Sequence, residues 1–114
     1  MAAYTPKRLC QVTLGTSSAA AYTAPGGTSC IVKTLVLANT SAVSVTATVY
    51  LIPSPGSVAS NSTDATTVVP AVAIPAFTTQ AFVLNQVMNT ADILAAKASI
   101  GASVTLTGSG VEIV

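Results

Sequence analysis

Few residues in this chain could do chemistry, and their types say more than their spacing. There is no His among the 114 residues, so there is no imidazole base, histidine metal ligand or histidine proton switch. The acids are Asp64, Asp92 and Glu112, too scattered in sequence to suggest the carboxylate pair of a glycosidase. Ser and Thr are abundant enough to supply nucleophiles by count. However, neither Lys33 nor Lys97 stands in an SxxK pattern, and no His is present to activate a hydroxyl. Gly26-Gly27-Thr28-Ser29 lacks the lysine and the following helix of a phosphate-binding loop and reads as a hairpin turn. Cys10 and Cys30 do not have the spacing of a CxxC redox or zinc motif; two buried thiols are expected ahead of a disulfide between their strands. No catalytic residue, metal or cofactor is expected, and an enzyme is set aside.

Binding chemistry is equally sparse. Lys7, Arg8, Lys33 and Lys97 are the only cations, too few to track a phosphate backbone, so nucleic acid is not an expected partner. Tyr4, Tyr22, Tyr50, Phe77 and Phe82 are the only aromatics, and a base-stacking or sugar-stacking platform would use most of them. Every apolar run is broken by Thr, Ser, Asn, Pro or Gly, well short of the roughly 20 residues of a membrane span. The first 21 residues carry polar interruptions where a signal peptide needs its apolar stretch, so neither a signal peptide nor a membrane partner is expected. Asn39-Thr40-Ser41 and Asn61-Ser62-Thr63 match the glycosylation acceptor, a pattern common by chance.

These few groups must be positioned by strands. Seventeen Thr and twelve Ser, with plentiful Val, are the composition of pleated, half-buried surface. Alternation is cleanest over Val43 to Ile52, where Val43, Val45, Ala47, Val49 and Leu51 share one face and Ser44, Thr46, Thr48 and Tyr50 the other. Strands are also expected over Leu9 to Leu14, Ala20 to Ala24, Cys30 to Leu37, Thr66 to Ile74 broken by Pro70, Thr79 to Leu84, Ser103 to Thr107 and Val111 to Val114. Cys30 to Leu37 and Val43 to Ile52 read as an antiparallel hairpin. Pro70 and Pro75 suit an edge strand or a strand that crosses between sheets. Residues 89–99 read as a turn followed by a strand, with a short capped helix as the competing reading. Pro53 to Asp64 is a long polar loop or the link between two halves of one sandwich. The expected fold is all-β, a single-domain antiparallel β-sandwich or jelly roll of about eight short strands. It follows an extended arm over residues 1–8, with the sandwich over 9–114. In the arm, Tyr4, Lys7 and Arg8 are the candidate partner-binding residues; a frayed, solubilising terminus is the competing reading.

Only 6% of the residues are charged, the formal net charge is +1, and the mean hydropathy is +0.72. A soluble monomer ordinarily keeps its copies apart with charge, so this composition points to surface that is covered in use. The segments TLGTSSAAAYTAP, IVKTLVLANTS, VTATVYLIPS and SGVEI resemble a group of small phage and prophage structural proteins. The resemblance covers most of the chain and contains no catalytic signature. It departs from the group's glycine-containing turn at Asn89-Thr90-Ala91-Asp92, where Ala91 stands. It implies a virion subunit with a β-sandwich fold, assembled in the host cytoplasm. The expectation is a capsid decoration, or cement, protein that forms a homotrimer, closed symmetry being one way to bury edge strands. It would pack on the major capsid protein or another virion protein and take no small-molecule substrate. The alternative is a neck, tail or fibre accessory module gripping a host glycan through the Pro53 to Asp64 loop and Tyr50.

Overall fold

The computed structural model describes residues 4–113, apart from the side chain of Asp64. Eight strands follow in order: β1 Tyr4–Thr13, β2 Ala19–Thr23, β3 Ser29–Asn39, β4 Val45–Ile52, β5 Thr67–Ile74, β6 Thr79–Met88, β7 Ile93–Ala98 and β8 Val104–Ile113. They form two antiparallel four-stranded sheets, ordered β1-β8-β3-β6 and β2-β7-β4-β5. The pairs β1–β8, β2–β7, β3–β6 and β4–β5 are nested: the first half of the chain pairs with the second as one long hairpin, rolled into two layers. This is the jelly-roll arrangement, and the expected fold class is the observed one.

Only β4 and β5 are consecutive strands sharing a sheet. The hairpin expected between Cys30 to Leu37 and Val43 to Ile52 is therefore not formed. β3 and β4 lie in opposite layers because the chain turns a corner at Asn39, which is 2% exposed. Its Nδ2 donates to the carbonyls of Val43 and Ile74 at 2.8 and 2.9 Å, while its Oδ1 accepts from Ser41 N and Oγ at 2.9 and 2.7 Å. A buried amide satisfied this fully holds a sheet-to-sheet crossing, which strand alternation does not reveal.

The core lies between the layers. Val32, Leu35, Leu37, Val104 and Leu106 from one sheet meet Val45, Val49, Ile74 and Leu94 from the other, all 1% exposed or less. β8 is continuous through Gly108 and Gly110, as one long strand. A Cβ on Gly108 would come within 3.0 Å of Cys10 Sγ, and one on Gly110 would collide with the Ile31 carbonyl. Bulges opposite them, between Arg8 and Cys10 and between Val32 and Thr34, take up the irregularity on the neighbouring strands. Cys10 and Cys30 are buried free thiols. They sit on strands flanking β8, opposite Gly108 and Glu112, about 15 Å apart by strand spacing and well beyond disulfide reach.

Residues 89–99 resolve as a turn followed by β7. Ala91 in that turn has φ 71, a left-handed conformation in which a Cβ is unfavourable. Its N–H donates to the Ala24 carbonyl at 3.0 Å. The buried carboxylate of Asp92 next to it accepts from Ser54 N at 2.8 Å and Asn89 N at 2.9 Å, joining the turn to the end of β4. Ala91→Gly is expected to raise stability by about 0.5–1 kcal/mol, because relief of the strained φ exceeds the added chain entropy of glycine. Urea unfolding would measure it, and an unchanged midpoint would show that the turn carries no strain.

Candidate functional site

The three residues expected to bind a partner fall on β1, which is paired from Tyr4 onward with β8. The segment read as an arm is thus a strand of the sandwich over residues 4–8, while residues 1–3 lie outside the described residues. Pro6 does not prevent this, since β1 is an edge strand and an edge tolerates a missing donor. The structure does not bring the three side chains together. By strand alternation Tyr4, Pro6 and Arg8 occupy the outer face, and Lys7 the side facing the other sheet.

Lys7 joins a polar cluster at the open edge where β1 and β2 face each other. Its Nζ is 3.3 Å from both carboxylate oxygens of Glu112 on β8. Tyr22 on β2, from the opposite sheet, donates its hydroxyl to Glu112 Oε2 at 2.6 Å. One carboxylate thereby ties the two layers at their edge, and an inward-facing lysine there also discourages strand addition. The Glu112 carboxyl is held below its ordinary value by the Tyr22 hydrogen bond and then by Lys7. Burial, reinforced by the Glu112 hydrogen bond, raises the Tyr22 phenol well above its ordinary range, and burial raises the Cys30 thiol beside it. The cluster holds no activated base and reads as a structural tie.

Two exposed apolar regions stand out instead. On the outer face of β1-β8-β3-β6, Pro6, Val111, Ile31 and Val87 lie in register across all four strands. Val87 is 58% exposed; Val83, further along β6, is 75% exposed, and Tyr4, on the opposite edge strand, is 68% exposed. The second region is the end of the sandwich formed by residues 14–18, 40–44, 75–78 and 99–103, stitched together by backbone hydrogen bonds such as Phe77 N to Ser41 O and Thr40 N to Ser103 O. It carries no charged residue and displays Val43, Phe77 and Ile100. Phe77 is 72% exposed and held at φ 56. Sequence reading missed this end, because three separate loops contribute one large exposed apolar residue each and only the fold gathers them.

Tyr50 does not serve as a sugar-stacking platform. It is 5% exposed, packed with Ile52, Ala95 and Val58 beneath the loop between β4 and β5. That loop contains a single helical turn, α1 Val58–Asn61, capped by Ser57. Among the described residues, no three His, Cys, Asp or Glu side chains are grouped to hold a metal, and no helix is long and apolar enough to cross a membrane.

The cluster sets two limits on stability. A lowered Glu112 pKa contributes stability above the carboxyl's ordinary 4.5, lost as pH falls through the folded-state value. Raised Tyr22 and Cys30 pKa values contribute stability that is complete below their ordinary 10.0 and 9.0, and lost as pH rises beyond them. Urea midpoints across pH should therefore fall at both extremes, and Glu112→Gln should flatten the acid limb. An acid limb unchanged in the variant would locate the sensitivity elsewhere.

No protein-family model matches the chain, and no curated protein does. Two solved structures of infectious bursal disease virus resemble it weakly. The Gx strain structure aligns with 99% of this chain and 32% of its own at 16% identity and a TM-score of 0.44. The Gt strain structure aligns with 98% and 31% at 13% identity and a TM-score of 0.35. The chain spans about a third of the length of those viral chains, and similarity at this level assigns neither a family nor a function.

Proposed function

We propose that the chain is a structural subunit of a bacteriophage virion, and specifically a capsid decoration protein that acts as a homotrimer on the head shell without catalysing a reaction. The observation that carries this reading is the uncharged loop end bearing Val43, Phe77 and Ile100, on a chain with only seven charged residues. Solvent-exposed Phe, Val and Ile with no charge around them suit an apolar recess on another protein. The resemblance of the strand segments to small phage structural proteins supports the same reading, and the jelly roll is a frequent fold of capsid subunits, though fold alone does not decide function. In this reading the loop end seats on the major capsid protein, and the outer face around Val83 and Val87 packs between copies.

Light scattering over a concentration series should give three chain masses, each of 11.2 kDa, and Val83→Lys should shift the mass toward one. Phe77→Ser should lower co-sedimentation with shells lacking the protein by about tenfold or more, the scale of a lost aromatic anchor. A monomer at every concentration removes the trimer, and shell binding indifferent to Phe77→Ser removes the proposed seat.

A further inference from the structure

The outer face of the β2-β7-β4-β5 sheet carries a second feature, unlike the apolar regions. β4 sends Val45, Ala47 and Val49 into the core and by alternation presents Thr46 and Thr48 outward, with Lys97 of β7 directly opposite Thr48. At one end the loop between β4 and β5 folds back and covers Tyr50 and Ile52. At the side β5, irregular in its pairing with β4, brings Pro70 and Ala71 up as a wall. Between them is an open hollow of about 790 Å³, within the size range of small-ligand sites.

The lining selects the chemistry. Thr16, Thr46, Thr48 and Thr67 supply hydroxyls, and Lys97 supplies one ammonium. Thr67 Oγ1 donates to the Thr63 carbonyl at 2.9 Å and keeps its lone pairs; the side chains of Thr16, Thr46 and Thr48 have no hydrogen-bond partner among the described residues. A hydroxyl both donates and accepts, so this set matches a ligand rich in hydroxyls. A single cation suits one negative charge and is too little for a polyanion. Tyr50 borders the hollow but is only 5% exposed, too little ring for a base to stack on, which disfavours a nucleobase. The short apolar wall of Pro70 and Ala71 fits the less polar face of a sugar ring.

We propose that this hollow binds a singly charged, hydroxyl-rich unit, an acidic monosaccharide such as a uronic or sialic acid, with its carboxylate at Lys97 and its hydroxyls on the threonines. The site lies beside the Pro53 to Asp64 loop rather than at its tip, and it does not need Tyr50 as a platform. It borders the uncharged loop end, sharing Thr16 and Ser99 with it, and lies on the sheet opposite the Val83 face; sugar binding measured on the isolated chain tests it without reference to the virion reading.

Titration of the isotope-labelled chain with glucuronate, N-acetylneuraminate and neutral glucose, followed by amide NMR, tests it. At least one sugar acid should give saturable shifts at Thr48, Lys97 and Thr67, with a dissociation constant on the order of 1 mM. Glucose should bind about tenfold or more weakly, the loss expected when a charged contact is missing. Lys97→Gln should weaken the sugar acid by a similar factor while amide shifts distant from the hollow stay unchanged, which separates lost binding from lost folding. Thr48→Val should weaken both the acid and the neutral sugar. No saturable shift in the hollow with either acid, or equal binding by Lys97→Gln, overturns the proposal. Binding of glycerol phosphate alone overturns the sugar assignment.

Discussion

Burial of one face of each sheet against the other is the interaction on which the rest of the structure depends. Leu35, Leu37, Ile74, Met88, Leu94 and Leu106 are among the largest side chains sealed from solvent, and each contributes about 1.5–3 kcal/mol by leaving water. Because strand side chains alternate, committing one face inward leaves the other to be partnered or solvated. The outer face of β1-β8-β3-β6 carries the apolar row of Pro6, Val111, Ile31 and Val87 beside Arg8, Thr34, Thr107 and Ser109, while that of β2-β7-β4-β5 presents Thr46, Thr48 and Lys97. The two exteriors thus differ in where apolar side chains are grouped, set by the residues between the core positions.

Alternation made the fold class legible, and its limits explain what was not. In Val45–Ile52 it identifies which residues face inward, but the core is shared, so the same pattern fits a strand in either sheet. That is why a hairpin of β3 with β4 looked natural, and why the sheet crossing had to be read from the buried Asn39 amide. The start of β1 looked like a free arm because an extended conformation over residues 1–8 does not by itself say whether the segment pairs with a neighbouring strand. Tyr50 looked exposed because it alternates with core residues; the loop that covers it acts from outside the strand, where periodicity carries no information. Ala91 was different. Its place in a glycine-type turn was visible as a departure from a pattern, and the left-handed φ gives that departure a physical meaning.

The polar residues complement this apolar economy. Glu112 ties β8 to β2 and meets Lys7, and Asp92 secures two loop amides. Both described carboxylates therefore serve internal structure, and Arg8, Lys33 and Lys97 have no ion-pair partner among the described residues. With both described carboxylates engaged in internal contacts, little charge is left with which to repel other copies, and the hydroxyls of the Thr-rich exterior supply much of the polar surface.

Phe77 is the residue on which the proposed docking bears most directly. A bulky residue at φ 56 is costly, about 1–2 kcal/mol relative to a relaxed backbone. In the isolated chain burial of the ring does not offset this, since the ring is 72% exposed; the hydrogen bond from Phe77 N to the Ser41 carbonyl helps to hold the backbone there. The neighbouring Pro75 carbonyl, which accepts from Thr78 Oγ1 at 2.7 Å, fixes the turn and holds the ring outward. Seated in an apolar recess, a phenyl ring gains about 1.5–3 kcal/mol, enough to outweigh the strain. Under the proposed reading, docking of the ring would offset a cost that the free chain bears at residue 77.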